Sequence, residues 1–238
     1  MLIEFKDKTV IKTFGSKNEA RRICKLYNTF PYHVKAKTSE EKLIYNYIVG
    51  DTLQSILNDK PRSTEVLKSL GSILSEVHFI GCKVLPGYET ICRDRNYFPD
   101  PSKFITSNQY TSKIHGDLNT RNIIVSSDNK ITLIDRYAER GDIMFDFTFI
   151  MSILCQYLLT NDIEYKLMIT IFFNEYIKRI KDKEGFFRSF RNNFLGYGYY
   201  VYYDTDHRLN DFKEWSEGIK IAQELSKYNS FLDYLETI

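Results

Sequence analysis

The sequence holds little that would lock it covalently. Its four cysteines, Cys24, Cys82, Cys92 and Cys155, are scattered through 238 residues, and no two form a Cys-x-x-Cys pair. None stands near a histidine at metal-ligand spacing, so the pattern suggests neither a zinc site nor a disulfide framework. Reduced thiols in a cytoplasmic protein are the plain reading. An excess of one charge is also missing: 33 basic residues face 31 acidic ones, a net of +2. That balance argues against nucleic-acid binding driven by bulk charge, and no nucleic-acid partner is expected. Long apolar runs are absent too. The longest, residues 143–159, is interrupted by Asp146, Thr148, Ser152 and Gln156 and reads as a buried helix, short of a membrane span. The opening Met-Leu-Ile-Glu-Phe-Lys lacks the apolar stretch of a signal peptide. No internal repeat or low-complexity segment is present. What the chain does have is 43% hydrophobic residues, enough for one large core or for a small lobe and a larger one.

Periodicity divides the chain. Residues 2–5 and 9–14 are β-rich runs around Lys6-Asp7-Lys8, which predicts a hairpin. Ser16 followed by Glu19 fits a capping box opening a helix, whose apolar face continues through Ile23, Leu26 and Tyr27. Residues 34–36 and 43–49 read as strands, Gly50 breaks the second, and residues 52–57 begin another helix. A longer helix is expected over 64–79, with Val66, Leu67, Leu70, Ile73, Leu74 and Val77 on one side. Residues 81–112, with Pro86, Pro99 and Pro101, read as irregular. Residues 123–125 and 131–134 are short strands around Ser127-Asp128-Asn129-Lys130, a second hairpin. The remainder, from Ile143 on, reads as mostly helical and rich in aromatics. A strand-rich front, a middle hairpin and a helical back fit α+β better than alternating α/β.

The stretch His115-Gly116-Asp117-Leu118-Asn119-Thr120-Arg121-Asn122-Ile123-Ile124-Val125 carries the chemistry. It holds an aspartate and an asparagine in a loop that runs into a strand, and the hairpin returns through Ile131 to Ile134 and ends on Asp135. Two paired strands bring the residue before one close to the residue after the other. Asn122 and Asp135 are therefore expected to converge on one metal ion, with Asp117 just upstream beside an acceptor hydroxyl. Phosphoryl transfer needs those parts: a carboxylate to orient and deprotonate the attacking hydroxyl, and hard oxygen ligands for Mg²⁺.

His-x-Asp-x-x-x-x-Asn, then a strand pair and an aspartate, resembles the catalytic core of the protein-kinase-like superfamily. His-Gly-Asp-Leu with Asn-Ile-Ile, and Ile134-Asp135 followed by Gly141-Asp142 and Asp146, is similar to the aminoglycoside phosphotransferase and choline kinase branch. Tyr47-Ile48-Val49-Gly50-Asp51-Thr52-Leu53 resembles the hinge of that branch, and Leu74-Ser75-Glu76-Val77-His78 the helix end that follows it. Protein kinases usually have Arg in place of Gly116, and Phe-Gly in place of Arg136-Tyr137. The resemblance implies a two-lobed α+β fold, with a small nucleotide-binding lobe over 1–50 and a mainly helical lobe over 51–238. It implies ATP and Mg²⁺ as cofactors and a small hydroxylated acceptor: a sugar, an aminoglycoside-like compound or an amino alcohol. By the same resemblance Asp117 is the catalytic base, Asn122 and Asp135 bind Mg²⁺, and His115 and Asp146 brace the catalytic loop. Backbone near Asn46 to Ile48 would hold adenine. Lys12 would hold phosphate with Glu19 as its candidate partner, and the Gly-rich loop before it reads as missing.

Plainer readings stand beside these. The capping box accounts for Glu19 without ATP, Lys12 reads equally as a solvated strand lysine, and Asp142 as a helix start. Phe194, Tyr197, Tyr199, Tyr200, Tyr202 and Tyr203, followed by Asp204 and Asp206, suit helix packing better than a wall for a cationic substrate. His33, His78 and His207 show no metal spacing. Alternative functions are a small atypical protein kinase of the RIO type and a kinase fold that binds nucleotide or a partner without catalysis.

Overall fold

The structure is a computed structural model that describes residues 1–85, 109–156, 162–186 and 189. The chain divides into two compact units, Met1–Val66 with His115–Glu139, and Leu67–Ile114 with Arg140–Ile238.

The first unit opens with strands β1 (Leu2–Lys6) and β2 (Thr9–Thr13), joined by Asp7 and Lys8 at φ 46° and 61°. Positive φ at both central residues is what a two-residue hairpin requires for its twist to match the strands. Along β2, alternation places Val10 and Lys12 on the buried face. Helix α1 (Lys17–Thr29) is capped by Ser16, whose side chain accepts from the Glu19 N–H, and buries Ala20, Ile23, Leu26 and Tyr27. Strands β3 (Ala36–Ser39) and β4 (Lys42–Asn46) complete an antiparallel sheet of order β1-β2-β4-β3. Val10, Ile23, Leu26, Tyr27, Val34, Leu43 and Tyr45 form its core, with Ile48 and Ile134 packed against it.

The strand expected over 34–36 starts later, at Ala36. The Val34 N–H donates instead to the Leu133 carbonyl at 3.0 Å, while the Asn28 side chain binds both the N–H and the carbonyl of Ala36. The strand expected over 43–49 stops at Asn46, because its partner β2 reaches the hairpin turn there: Asn46 pairs with Thr9, and the Tyr47 N–H donates to the Lys8 carbonyl. Strand β5 (Asp51–Thr52) then pairs with β8 (Ile123–Val125), which pairs with β9 (Ile131–Leu133). The middle hairpin is thus as read, and it is tied to the sheet core through Ile134.

Between β5 and β8, Thr52 caps the short α2 (Leu53–Ile56). Helix α3 (Lys60–Phe79) starts a turn before the expected residue 64, since Asp59 accepts from the Ser63 and Arg62 N–H groups and Pro61 in the first turn needs no partner. Of its expected apolar side, Val66, Leu67, Leu70, Leu74 and Val77 are buried and Ile73 is half-buried.

The second unit corrects the irregular reading of 81–112 at its two ends. There β6 (Lys83–Leu85) and β7 (Gln109–Lys113) pair, and β10 (Arg140–Asp142) adds to β7. The three residues of β6 are too few to show alternation in a sequence, and the five of β7, Gln-Tyr-Thr-Ser-Lys, are nearly all polar. Residues 86–108 lie outside the described residues. Helix α4 (Ile143–Gln156) is buried along its first two turns, as an apolar helix should be. It packs with α5 (Ile163–Tyr176) through rings: Phe147 stacks on Tyr176 at 4.5 Å, and both meet Phe186. Among the described residues no helix is long and apolar enough to cross a membrane. The aromatic run from Phe194 to Tyr203, Asp204, Asp206 and His207 lies outside the described residues, as do Cys92 and the Cys155 side chain.

Candidate active site

The hairpin β8–β9 does what its sequence pattern requires. Ile123 pairs with Leu133, and the Ile134 N–H donates to the Asn122 carbonyl at 3.0 Å, so Asn122 and Asp135 end adjacent strands side by side. Upstream, Asn119 caps a single 3₁₀ turn, Thr120–Asn122, accepting from the Arg121 and Asn122 N–H groups. That turn points Asn122 back at the loop. Its Nδ2 donates to the Asp117 carbonyl at 2.9 Å and to Asp117 Oδ2 at 3.0 Å, while Asn119 Nδ2 donates to Oδ1 at 3.1 Å. Two amides thus hold the half-buried Asp117 carboxylate, and a charged acceptor makes such bonds stronger than neutral ones.

Gly116 has a reason of its own. Its φ is +84°, and a Cβ there would sit 2.7 Å from the Ala138 Cβ and 2.8 Å from its nitrogen. The position tolerates neither the handedness nor the volume of another residue, so no arginine fits between His115 and Asp117.

His115 is buried and braces the loop from beneath. Its Nε2 lies 2.7 Å from the Ile134 carbonyl and so carries a proton; Nδ1 accepts from the Asp117 N–H at 3.3 Å. A second histidine completes the support. His33 accepts the Arg136 N–H on Nε2 at 3.2 Å and donates from Nδ1 to the Val34 carbonyl at 2.9 Å. Burial, with the neighbouring His115 and Arg136, pushes His33 down to about 3, so it stays neutral in this role. The peptide on each side of Asp135 is therefore held by one imidazole, and Asp135 itself sits at φ 61°, a region that aspartate enters more readily than most residues.

Arg136, where protein kinases usually have phenylalanine, is buried. Nη1 donates to the Leu26 carbonyl at 2.7 Å and to Thr29 Oγ1 at 3.2 Å, Nη2 donates to the Glu139 carbonyl at 2.7 Å, and the guanidinium lies over the Phe30 ring at 4.3 Å. It caps the C-terminal end of α1, where carbonyls lack helical partners and a cation is favoured.

Lys12 reaches the site from β2 and pairs with Asp135 Oδ1. Tyr27 donates to the same oxygen at 2.9 Å. Burial and the Asp135 charge push the Tyr27 and Tyr45 hydroxyls well above the usual tyrosine range, so both remain neutral. Glu19, the expected partner of Lys12, is exposed in the first turn of α1, where its N–H meets the Ser16 cap. The correction has a simple cause: Lys12 lies on the inner face of β2, and the polar group that α1 brings to its carboxylate partner there is the Tyr27 hydroxyl. The sequence hid Tyr27 because its spacing with Ile23 and Leu26 reads as core, and it hid His33 and Arg136 because neither belongs to a spaced motif.

Of the other expected positions, Asn46 is exposed at the end of β4 and Ile48 is half-buried against the small core. In the second unit, Asp142 Oδ1 accepts the Met144 N–H at 3.0 Å and so starts α4, while Asp146 Oδ2 lies 3.3 Å from His78 Nε2, both fully buried.

The donor set suits Mg²⁺. Asn122 uses its Nδ2 on Asp117, leaving the amide oxygen on the opposite branch, and Asp135 Oδ1 takes Lys12 and Tyr27, leaving Oδ2. An amide oxygen and a carboxylate oxygen are hard ligands, and this cation ordinarily draws the rest from water and phosphate.

No protein-family model and no curated protein matches the chain. Solved structures do. A choline kinase from Cryptosporidium parvum is matched at TM-score 0.57 and 11% identity, over 92% of this chain and 82% of that one. A choline kinase from Streptococcus pneumoniae is matched at 0.53 and 14%, over 92% and 86%. An amicoumacin kinase in complex with AMP-PNP, Ca²⁺ and its ligand is matched at 0.53 and 11%, over 92% and 81%. Likeness at such low identity speaks to architecture alone: this chain has the α+β protein-kinase-like fold.

Proposed function

We propose that the protein is an ATP- and Mg²⁺-dependent phosphotransferase that moves the γ-phosphoryl group to a hydroxyl of a small molecule, of the sugar, aminoglycoside-like or amino-alcohol kind. The observation that carries this reading is the convergence of Asp117, Asn122, Asp135 and Lys12 at one end of the β8–β9 hairpin. That each structural neighbour reported above is a small-molecule kinase supports it, as does the nucleotide and divalent cation in the amicoumacin kinase complex. In this reading residues 1–50 form the small lobe and 51–238 the larger, and the protein is cytoplasmic.

Asp117 orients the acceptor hydroxyl and takes its proton, with Asn119 and Asn122 fixing the carboxylate. Asn122 and Asp135 hold the cation by their free oxygens, and Lys12 supplies positive charge to the phosphates. Backbone from Asn46 to Ile48 binds the adenine edge. Mg²⁺, when bound, neutralises phosphate charge as the bond to the leaving oxygen breaks. Gly116 in place of arginine favours a small acceptor, because in protein kinases that arginine engages a phosphorylated activation loop, and the interval between Asp135 and Asp146 is short for such a loop.

The Lys12–Asp135 pair favours one rival, a kinase fold that binds nucleotide without turning it over, since the lysine is engaged by the metal carboxylate. Incubation with γ-labelled ATP and Mg²⁺, first with a panel of sugars, aminoglycosides and amino alcohols and then with cell extract, separates the readings. Label in a small molecule is the expected result. Label confined to specific proteins, or none at all despite nucleotide binding, would contradict it.

A further inference from the structure

Helix α1 meets the metal-binding carboxylate through a tyrosine. We propose that Tyr27 is a positioning residue for Asp135: its hydroxyl, together with the Lys12 ammonium, holds Oδ1 and thereby turns Oδ2 to the cation. The inference rests on the phosphotransferase reading and names a residue that reading does not use.

Three observations carry it. Both donors converge on one oxygen, Tyr27 OH at 2.9 Å and Lys12 Nζ in an ion pair. A carboxylate free to rotate would offer a cation either oxygen; one held twice at Oδ1 offers the other. The two donors are also unequal. Lysine is a rotatable point charge on a flexible stem, whereas the Tyr27 ring is 2% exposed and lies against His33 at 4.2 Å and Tyr45 at 5.7 Å between ring centres. The core therefore fixes where the hydroxyl stands. Finally, the helix turn that carries Tyr27 is tied to the residue after Asp135, because Arg136 donates to the Leu26 carbonyl and to Thr29 Oγ1. Helix and carboxylate are joined by side chain on one side and by backbone neighbour on the other. Glu19 stands about 12 Å earlier along the helix axis at 1.5 Å per residue, so of the two it is Tyr27 that α1 brings to the carboxylate.

The test uses the full chain and a non-hydrolysable ATP analogue in a calorimeter, with Mg²⁺ and with chelator. Tyr27→Phe removes the hydroxyl and keeps the ring packing; Tyr27→Met serves if the first variant does not fold. The wild type should bind the analogue more tightly with Mg²⁺. In Tyr27→Phe that gain should fall roughly tenfold, the worth of one hydrogen bond to a charged group, with Mg²⁺-free affinity unchanged. Glu19→Gln should keep the full gain. An undiminished gain in Tyr27→Phe overturns the inference and leaves the phosphotransferase reading standing. A loss of equal size without Mg²⁺ overturns it as well, since packing alone would then explain Tyr27. No Mg²⁺-dependent gain in the wild type overturns both.

Discussion

Asp135 is placed by its neighbours more than by its own preferences. Its backbone is in the left-handed region, and the two peptides around it are held by His115 at Ile134 and His33 at Arg136. A histidine that must accept a hydrogen bond has to be neutral, and burial keeps His33 so, down to about 3 against an ordinary 6.5. The sign of the consequence follows from proton counting. Below 6.5 the unfolded chain binds a proton at this position that the folded chain refuses, so stability is full above that pH and drains as pH falls toward 3. The loss is on the order of a few kcal/mol. Denaturant melts across that window should show stability falling with pH in the wild type. In His33→Gln the same melts should show a shallower slope, by up to one proton; an identical slope would mean that His33 titrates in the folded protein as it does in the unfolded one.

At the scale of elements, close contacts decide which sequence signals hold. Gly71 lies inside α3, where helix propensity alone favours alanine by about 1 kcal/mol. Yet a Cβ at Gly71 would stand 2.5 Å from the Phe172 carbonyl and 2.9 Å from the Glu175 Cβ on α5. Backbone cannot yield as a side-chain tip does, so Gly71→Ala should destabilise by about 1–3 kcal/mol, read as a lowered thermal midpoint; a raised one would show that packing at α5 is looser than these distances. The same contrast explains what was legible beforehand. The β1–β2 hairpin, the Ser16 cap, the β8–β9 hairpin and the buried side of α3 rest on local chemistry and short-range periodicity, and each stands where the sequence places it. The start of β3 does not, because Val34 is drawn off by Leu133, far along the chain; β6 is too short to announce itself, and β7, Gln-Tyr-Thr-Ser-Lys, has too few apolar residues to show alternation. In the site, Asp117, Asn122 and Asp135 were legible because a motif spaces them. The Lys12–Asp135 pair, the Tyr27 hydroxyl and the role of His33 were not, since each contact joins residues from distant parts of the chain.

Across the whole molecule, the groups assigned to phosphate, metal and base lie in one compact unit, built from residues 1–66 and 115–139. The chain leaves that unit at Val66 and returns at His115 with the loop that carries Asp117. Lys12 and Tyr27 from the early segment thus meet Asp135 from the late one within a single core, where their relative positions are set by packing. A positioned base within such a core contributes about 10²–10⁴-fold to rate, and this magnitude makes the account testable at one side chain. The most direct measurement is the rate of γ-phosphoryl transfer from labelled ATP to the hydroxyl of a small-molecule acceptor that the wild type phosphorylates, by wild type and Asp117→Asn, with nucleotide affinity determined alongside. The account predicts a fall of about 10²–10⁴-fold in transfer with nucleotide affinity retained. Transfer by Asp117→Asn near the wild-type rate would contradict it.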